Sequence, residues 1–194
     1  MVHHLLVGDL GNYRIQRRDA DTGNWTAYGQ GTPGTNVGQF NGPFDVAADA
    51  AGNWYVADVY NNRVQKRSPS GTWSVFIAAG LSNGYVFRPR GLWVDAQGNV
   101  HVADENPSGN GYSRIQKFNS SGVFQALLGD STPALGGLDL PGSISSDAAG
   151  NLYVADCDND RIIIRDGANG TWTTLVDGNT LDWPADVVLN DDGN

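Results

Sequence analysis

The sequence predicts an all-β protein assembled from repeated four-stranded antiparallel units, and three observations carry that prediction. The composition favours turns: 194 residues include 26 Gly, 18 Asn and 8 Pro, 20 of the 21 acids are Asp, and 10 of the 12 bases are Arg. Strong surface-helix formers are therefore scarce and turn builders abundant. The second observation is a period. Pro43, Pro89, Pro141 and Pro184 are each followed nine residues later by a Gly-Asn pair, at 52–53, 98–99, 150–151 and 193–194. Third, six residues after that Gly an apolar run ends in Asp, as Trp54-Tyr55-Val56-Ala57-Asp58, Val100-His101-Val102-Ala103-Asp104 and Leu152-Tyr153-Val154-Ala155-Asp156. A fixed period of this length is the mark of a repeat architecture.

The elements follow in order within each unit. The run after the Pro is the first strand, and the run ending in Asp is the second; the chain opens on a second-strand unit, Leu5-Leu6-Val7-Gly8-Asp9. An Arg five residues beyond the Asp (Arg14, Arg63, Arg161) opens the third strand, whereas the third copy reaches Arg114 after ten and so carries an insertion within 105–113. A Gly-containing turn then leads to a fourth run opened by an aromatic: Trp25, Trp73, Phe124 and Trp172. Four short β-prone runs per unit, separated by turns, describe a blade of a β-propeller.

The pattern Pro…Asp…Gly-Asn-x-Tyr-Val-Ala-Asp…Asn-x-Arg-Ile-Gln resembles the NHL repeat of β-propellers, most clearly over 42–80. It departs from that pattern at the insertion after Asp104 and at Ile163, where the other copies have Gln16, Gln65 and Gln116. The expected blades are 184–194 joined to 1–30, then 42–80, 88–130 and 140–178. The two ends form complementary halves of one blade, with the strand near 185–190 expected to bond to the strand around 5–8. Three rings fit these ends: a four-bladed monomer, a strand-swapped homodimer with eight blades, or part of a longer propeller, since NHL-like rings are most often six-bladed.

Composition also narrows function. A formal charge of −9 opposes nucleic-acid and anionic-membrane binding. The apolar runs are far shorter than a membrane span, no secretory leader is evident at the start, and the compartment stays open. Cys157 is the single Cys, so no disulfide forms within one chain, and its acidic neighbours disfavour a reactive thiolate. The Asp and Arg of each unit recur in every copy, which suits hairpin ion pairs better than the asymmetric roles of a catalytic site.

In a propeller the blade-entry loops and the loops joining second and third strands share one face. Here that face collects Tyr13, Tyr60, Glu105, Tyr112, Cys157, Asp158, Asp160, Asp182 and Trp183, an acidic and aromatic set suited to a protein, peptide or glycan ligand. Tyr60, Glu105, Tyr112, Asp158 and Trp183 are the candidate contacts, and the insertion in the third unit breaks symmetry among them. No catalytic residue is assigned. The resemblance brings an enzymatic rival, a metal-dependent lyase or hydrolase. Peptide-amidating lyases place metal-binding His after the blade-entry Pro, where this chain has Phe44, Arg90, Gly142 and Ala185. Calcium-dependent lactonases use carboxylates and Asn in the channel, and Asp45 and Asp186 are the candidates for calcium there. His101, standing where the other copies have Tyr, reads as a packing residue. A third reading is a designed, ancestral or truncated propeller with no evolved ligand.

Overall fold

The computed structural model describes residues 4–105, 113–129 and 137–189. Their strands form a β-propeller of four antiparallel sheets, in agreement with the periodic sequence. The first sheet holds β1 (Leu5–Asp9), β2 (Arg14–Arg18) and β3 (Trp25–Tyr28). The second holds β4 (Pro43–Ala48), β5 (Trp54–Asp58), β6 (Arg63–Arg67) and β7 (Trp73–Ile77). The third holds β8 (Pro89–Val94), β9 (Val100–Asp104), β10 (Arg114–Phe118) and β11 (Phe124–Gly129). The fourth holds β12 (Pro141–Ser146), β13 (Leu152–Asp156), β14 (Arg161–Arg165) and β15 (Trp172–Val176). Among the described residues no helix is long and apolar enough to cross a membrane.

Each strand begins and ends where the repeat places a turn. The Asp of the Asp-x-x-Gly-Asn hairpin turns back on itself: Asp49 and Asp147 each accept from the backbone and side chain of the following Asn, at 2.7–2.9 Å. The Asp ending the second strand is followed by a single 3₁₀ turn and a residue in the left-handed region, Tyr13, Asn62 or Asp160. β4, β8 and β12 lie side by side around the axis, each blade's inner strand touching the next. The approach is close. A Cβ on Gly91 would sit 2.9 Å from the carbonyl oxygen of Gly142, so only glycine fits there.

The core lies between blades. Ile15, Phe40 and Val56 pack between the first and second; Tyr55, Val64, Val100 and Phe118 between the second and third; Ile115, Leu152, Val154 and Ile163 between the third and fourth. Side-chain clasps reinforce this packing. The side chain just before the third strand of one blade accepts the N–H of the residue before the next blade's Pro: the left-handed Asn62 from Arg88 (3.0 Å), Ser113 from Leu140 (3.0 Å) and the left-handed Asp160 from Trp183 (2.7 Å). Arg88, Leu140 and Trp183 all have positive φ, +45°, +51° and +49°, a backbone state that costs a non-glycine residue energy and that the clasp holds in place. A second clasp joins inner strands, Asp45 Oδ2 accepting from Leu92 N and Ser143 Oγ from Val187 N, both at 2.8 Å.

These clasps locate the C-terminal segment. Residues 184–189 are held against β12 by Asp160 and Ser143, in the position of a next inner strand. Among the described residues this segment forms no ladder with β1, and the first sheet contains three strands. Leu5 is accordingly 52% exposed and Val188 76%, whereas β5 and β9 are buried throughout. The expected joining of the two ends into one sheet is thus not formed within residues 4–189, and 190–194 lie outside the described residues.

The Asp–Arg pair is a buried brace in the second, third and fourth blades. Arg63 meets Asp58 at 2.8 Å, Arg114 meets Asp104 at 3.0 Å and Arg161 meets Asp156 at 2.7 Å, while the Arg14–Asp9 pair of the first sheet is more exposed. Replacing Arg114 by Met should lower the unfolding free energy by about 3–5 kcal/mol, because it strands a buried carboxylate, whereas Arg14→Met should cost no more than about 1 kcal/mol. Urea unfolding of the two variants checks the contrast.

Candidate functional site

The brace continues into the loops above it. Arg63 donates to the carbonyls of Thr35, Asn36 and Gln39, and Gln65 donates to Gln39 O while accepting from Gly38 N. In the third blade Arg114 donates to Leu81 O and Tyr85 O, and Gln116 repeats both Gln65 contacts with Tyr85 and Gly84. Long Gly-rich loops are thereby pinned by buried side chains. In the fourth blade Ile163 cannot make the Gln contacts, and Arg161 and Asn159 both donate to Gly137 O.

On these loops sit exposed apolar side chains: Tyr60 (56%), Val37 (50%), Tyr85 (49%), Trp183 (49%) and Leu81 (43%). The structure brings Asp158 and Trp183 together, the indole Nε1 donating to Asp158 Oδ1 at 2.8 Å. Tyr60 lies over Gly42 of its own blade, covering the place a side chain would occupy there. Glu105 pairs with Arg88 (3.4 Å) and Arg90 (3.3 Å) at the mouth of the channel, and Arg90 stacks on the Phe44 ring at 5.3 Å. Tyr112 lies outside the described residues. Tyr85, Leu81 and Val37 belong to the same face and were not singled out by the repeat; their signal was an apolar residue inside a Gly- and Asn-rich loop. Cys157 is buried, its Sγ 3.1 Å from Pro184 O, and burial pushes its thiol up, consistent with an inert packing role.

The channel is a cavity of about 300 Å³ lined by the inner strands and residues 186–188, including Asp45, Leu92, Ser143, Ser145 and Asp186. Burial pushes the Asp45 carboxyl up to about 6 against hydrogen bonds from Leu92 and Val46, and Asp186 adds to the rise. Both Asp45 oxygens accept backbone N–H groups, and among the described residues no three His, Cys, Asp or Glu converge on one point. Among the described residues lining this cavity the carboxylates are Asp45 and Asp186, two against the six to eight oxygens of a calcium site. Asp45 is a clasp between blades.

No family model and no curated protein matches the chain. Among solved structures it is similar to a chain of a nidogen/laminin complex (19% identity, TM-score 0.55, covering 94% of this chain and 79% of that one) and to a protein of unknown function from Bacteroides caccae (17%, 0.65, 100% and 64%). It is also similar to XC5397, a gluconolactonase from Xanthomonas campestris (17%, 0.61, 90% and 58%). The chain thus spans 58–79% of the length of these proteins. At these identities the likeness establishes the β-propeller fold, shared by binding proteins and enzymes alike.

The Asp45 environment makes a pH prediction. A carboxyl at about 6 when folded and about 3.9 when unfolded holds its proton longer in the folded state, so its stabilising contribution is complete below about pH 4 and lost as pH rises through about 6. Relative to Asp45→Asn, wild-type protein should lose roughly 3 kcal/mol between those limits, read from urea midpoints across the range.

Proposed function

We propose that this chain is an NHL-type propeller whose looped face is a non-catalytic docking surface for a protein, peptide or glycan. The observation that carries this reading is the set of exposed Tyr60, Tyr85 and Trp183 on anchored backbone: the Arg114–Gln116 brace holds Tyr85, the Asn41 carbonyl holds the Tyr60 N–H, and Asp158 and Asp160 hold Trp183. Aromatic side chains that stay exposed on a fixed backbone offer contact area at low entropic cost. Three acids of the same face are engaged with structural partners: Asp158 with Trp183, Asp160 with the Trp183 backbone, and Glu105 with Arg88 and Arg90. That arrangement supports recognition rather than proton transfer. The inner edge of β1, which bears no strand among the described residues, has room for one further strand, from residues 184–194 of the same chain or of a second copy, which gives a monomer or a strand-swapped homodimer.

Panning a random-peptide library on immobilised protein should enrich defined sequences, enriched in Lys and Arg given the acidic surface. The triple variant Tyr60→Ala, Tyr85→Ala, Trp183→Ala should bind them at least about tenfold more weakly. Failure to enrich, or enrichment indifferent to the triple change, overturns the reading.

A further inference from the structure

Each blade has a backward face, turned to the blade before it, and a forward face, turned to the blade after it. At the three interior junctions both kinds are covered. On the backward face Trp54, Val100 and Leu152 are buried, whereas Leu5, at the same register position of β1, is half-exposed. On the forward face the residue that bulges from the fourth strand packs into the next junction, as Phe76 and Leu128 do, but Leu175 at that position of β15 is 56% exposed. The aromatic opening the fourth strand shows the same contrast: Trp172 Nε1 donates to Leu128 O of the preceding blade at 3.1 Å, while Trp25 is 52% exposed. Among the described residues no hydrogen bond or ion pair joins the first sheet to the fourth. The chain therefore ends in one bare backward face and one bare forward face, the two kinds that pair at every interior junction.

The charges of the two bare faces are complementary. At the end of the blades away from the long loops, the turn carboxylates meet the second strand: Asp49 accepts from Tyr55 (3.0 Å) and Asp147 from Tyr153 (3.2 Å). Asp95 meets His101 Nε2 at 3.2 Å, which leaves the buried Nδ1 without a partner. Asp49 has Lys66 beside it and Asp95 is paired with Lys117 at 3.2 Å, but the register position of these lysines in the fourth blade is Ile164. Asp147 accordingly forms no ion pair among the described residues. A matching cation stands at the other end of the chain. Arg18, exposed and likewise in no ion pair among the described residues, occupies the register position of Arg67, Phe118 and Arg165. Those three all reach the forward face of the preceding blade: Arg67 stacks on Tyr28 at 4.8 Å, Phe118 packs in the core with Tyr55, and Arg165 lines one cleft with His101 and Asp95. A blade bearing Arg18 and following the fourth blade sets its guanidinium beside Tyr153 and Asp147.

The Asp9 brace lacks the matching piece of backbone. Asp58, Asp104 and Asp156 each accept the N–H two residues before the Pro of their inner strand, from Asn41, Phe87 and Asp139, whereas Asp9 accepts from the side chains of Asn12, Arg14 and Gln16 alone. The N–H in the corresponding place is that of Asp182, two residues before Pro184, and it too has no partner among the described residues.

We propose that this chain binds a second copy of itself head to tail, the forward face of the fourth blade and residues 182–189 of one copy closing on the bare face of β1, β2 and β3 of the other. Trp25 then donates to Leu175 O as Trp172 does to Leu128 O, Arg18 pairs with Asp147, and Asp9 gains the Asp182 N–H, so the first blade of each copy is completed by its partner. Within one chain the two faces stand apart, and a second copy is the partner that presents both at once. Two such contacts about a twofold axis close the pair into one ring. The charge pair fixes the register of the contact, and the apolar and aromatic positions supply its buried area. This inference rests on the strand exchange named above and is independent of peptide docking on the looped face.

Sedimentation equilibrium at concentrations from about 1 to 100 µM should resolve a species of twice the 20.7 kDa of one chain. Trp25→Glu and Leu175→Lys, each at a side chain exposed in the single copy, should each weaken pairing at least about tenfold with the circular dichroism spectrum unchanged. Arg18→Glu probes the same contact at a charged surface position and should act in the same direction. Mixing the Trp25→Glu and Leu175→Lys proteins should restore pairing, because the fourth blade of the first and the first blade of the second are both unaltered. Both variants retain Tyr60, Tyr85 and Trp183 and should still bind the selected peptides, so a failure of the docking reading is seen apart from a failure of this one. The inference is overturned by a single-chain mass throughout the range, by pairing indifferent to these changes, or by a mixture that pairs no better than its components.

Discussion

The structure depends on one carboxylate in each of the second, third and fourth blades, buried at the end of the second strand. Asp58, Asp104 and Asp156 are essentially inaccessible to water, and each gathers an Arg and the backbone N–H of the blade-entry loop, from Asn41, Phe87 and Asp139 at 2.7–3.0 Å. Removing such a charge from water is expensive and repaid only by a complete set of partners. The set is complete because the Arg extends past the carboxylate to loop carbonyls, so that charge neutralisation and loop fixation are one event. Irregular loops acquire the rigidity of the sheets beneath them, which lets exposed rings on one face present a constant shape.

Regular positions of the repeat therefore maintain architecture, and departures from the repeat carry what is specific. The Asp–Arg braces serve every unit alike. Trp183, Glu105 and His101 each occupy a position where the other copies have something different, and each alters its surroundings: an indole set on the rim, a carboxylate between two arginines, an imidazole with one nitrogen to spare. The first two lie on the looped face and the third on the opposite side, so the two faces are differentiated by substitution within one scaffold.

Much of this was legible in the sequence. The Pro to Gly-Asn interval and the Asp closing the second strand are short-range signals, and with the Arg and the aromatic that open the third and fourth runs they mark the first residue of each described strand, whereas the strand expected near 185–190 is not among those described. The pairing of Asp58 with Arg63 was readable because five residues span a single tight hairpin. The clasps were not readable: Asp45 reaches Leu92 and Ser143 reaches Val187 across 47 and 44 residues, and nothing local in either segment announces the other. The Leu92 partner of Asp45 likewise appears only once the next blade is in place. His101 was correctly read as packed within a strand, but a letter does not show which ring nitrogen is left over. Trp183 and Asp158 were both named as candidates, yet their direct contact depends on the left-handed backbone at Trp183, a conformation that sequence rules assign to glycine.

The clasps have a further consequence. The second, third and fourth blades each offer an oxygen to the segment that follows, through Asn62 and Asp45, then Ser113, then Asp160 and Ser143. The coupling is vectorial: a blade templates its follower and carries no information on how many follow. Circumference is thus not written into any single module, and tandem duplication or loss of one module would preserve every junction while resizing the circle.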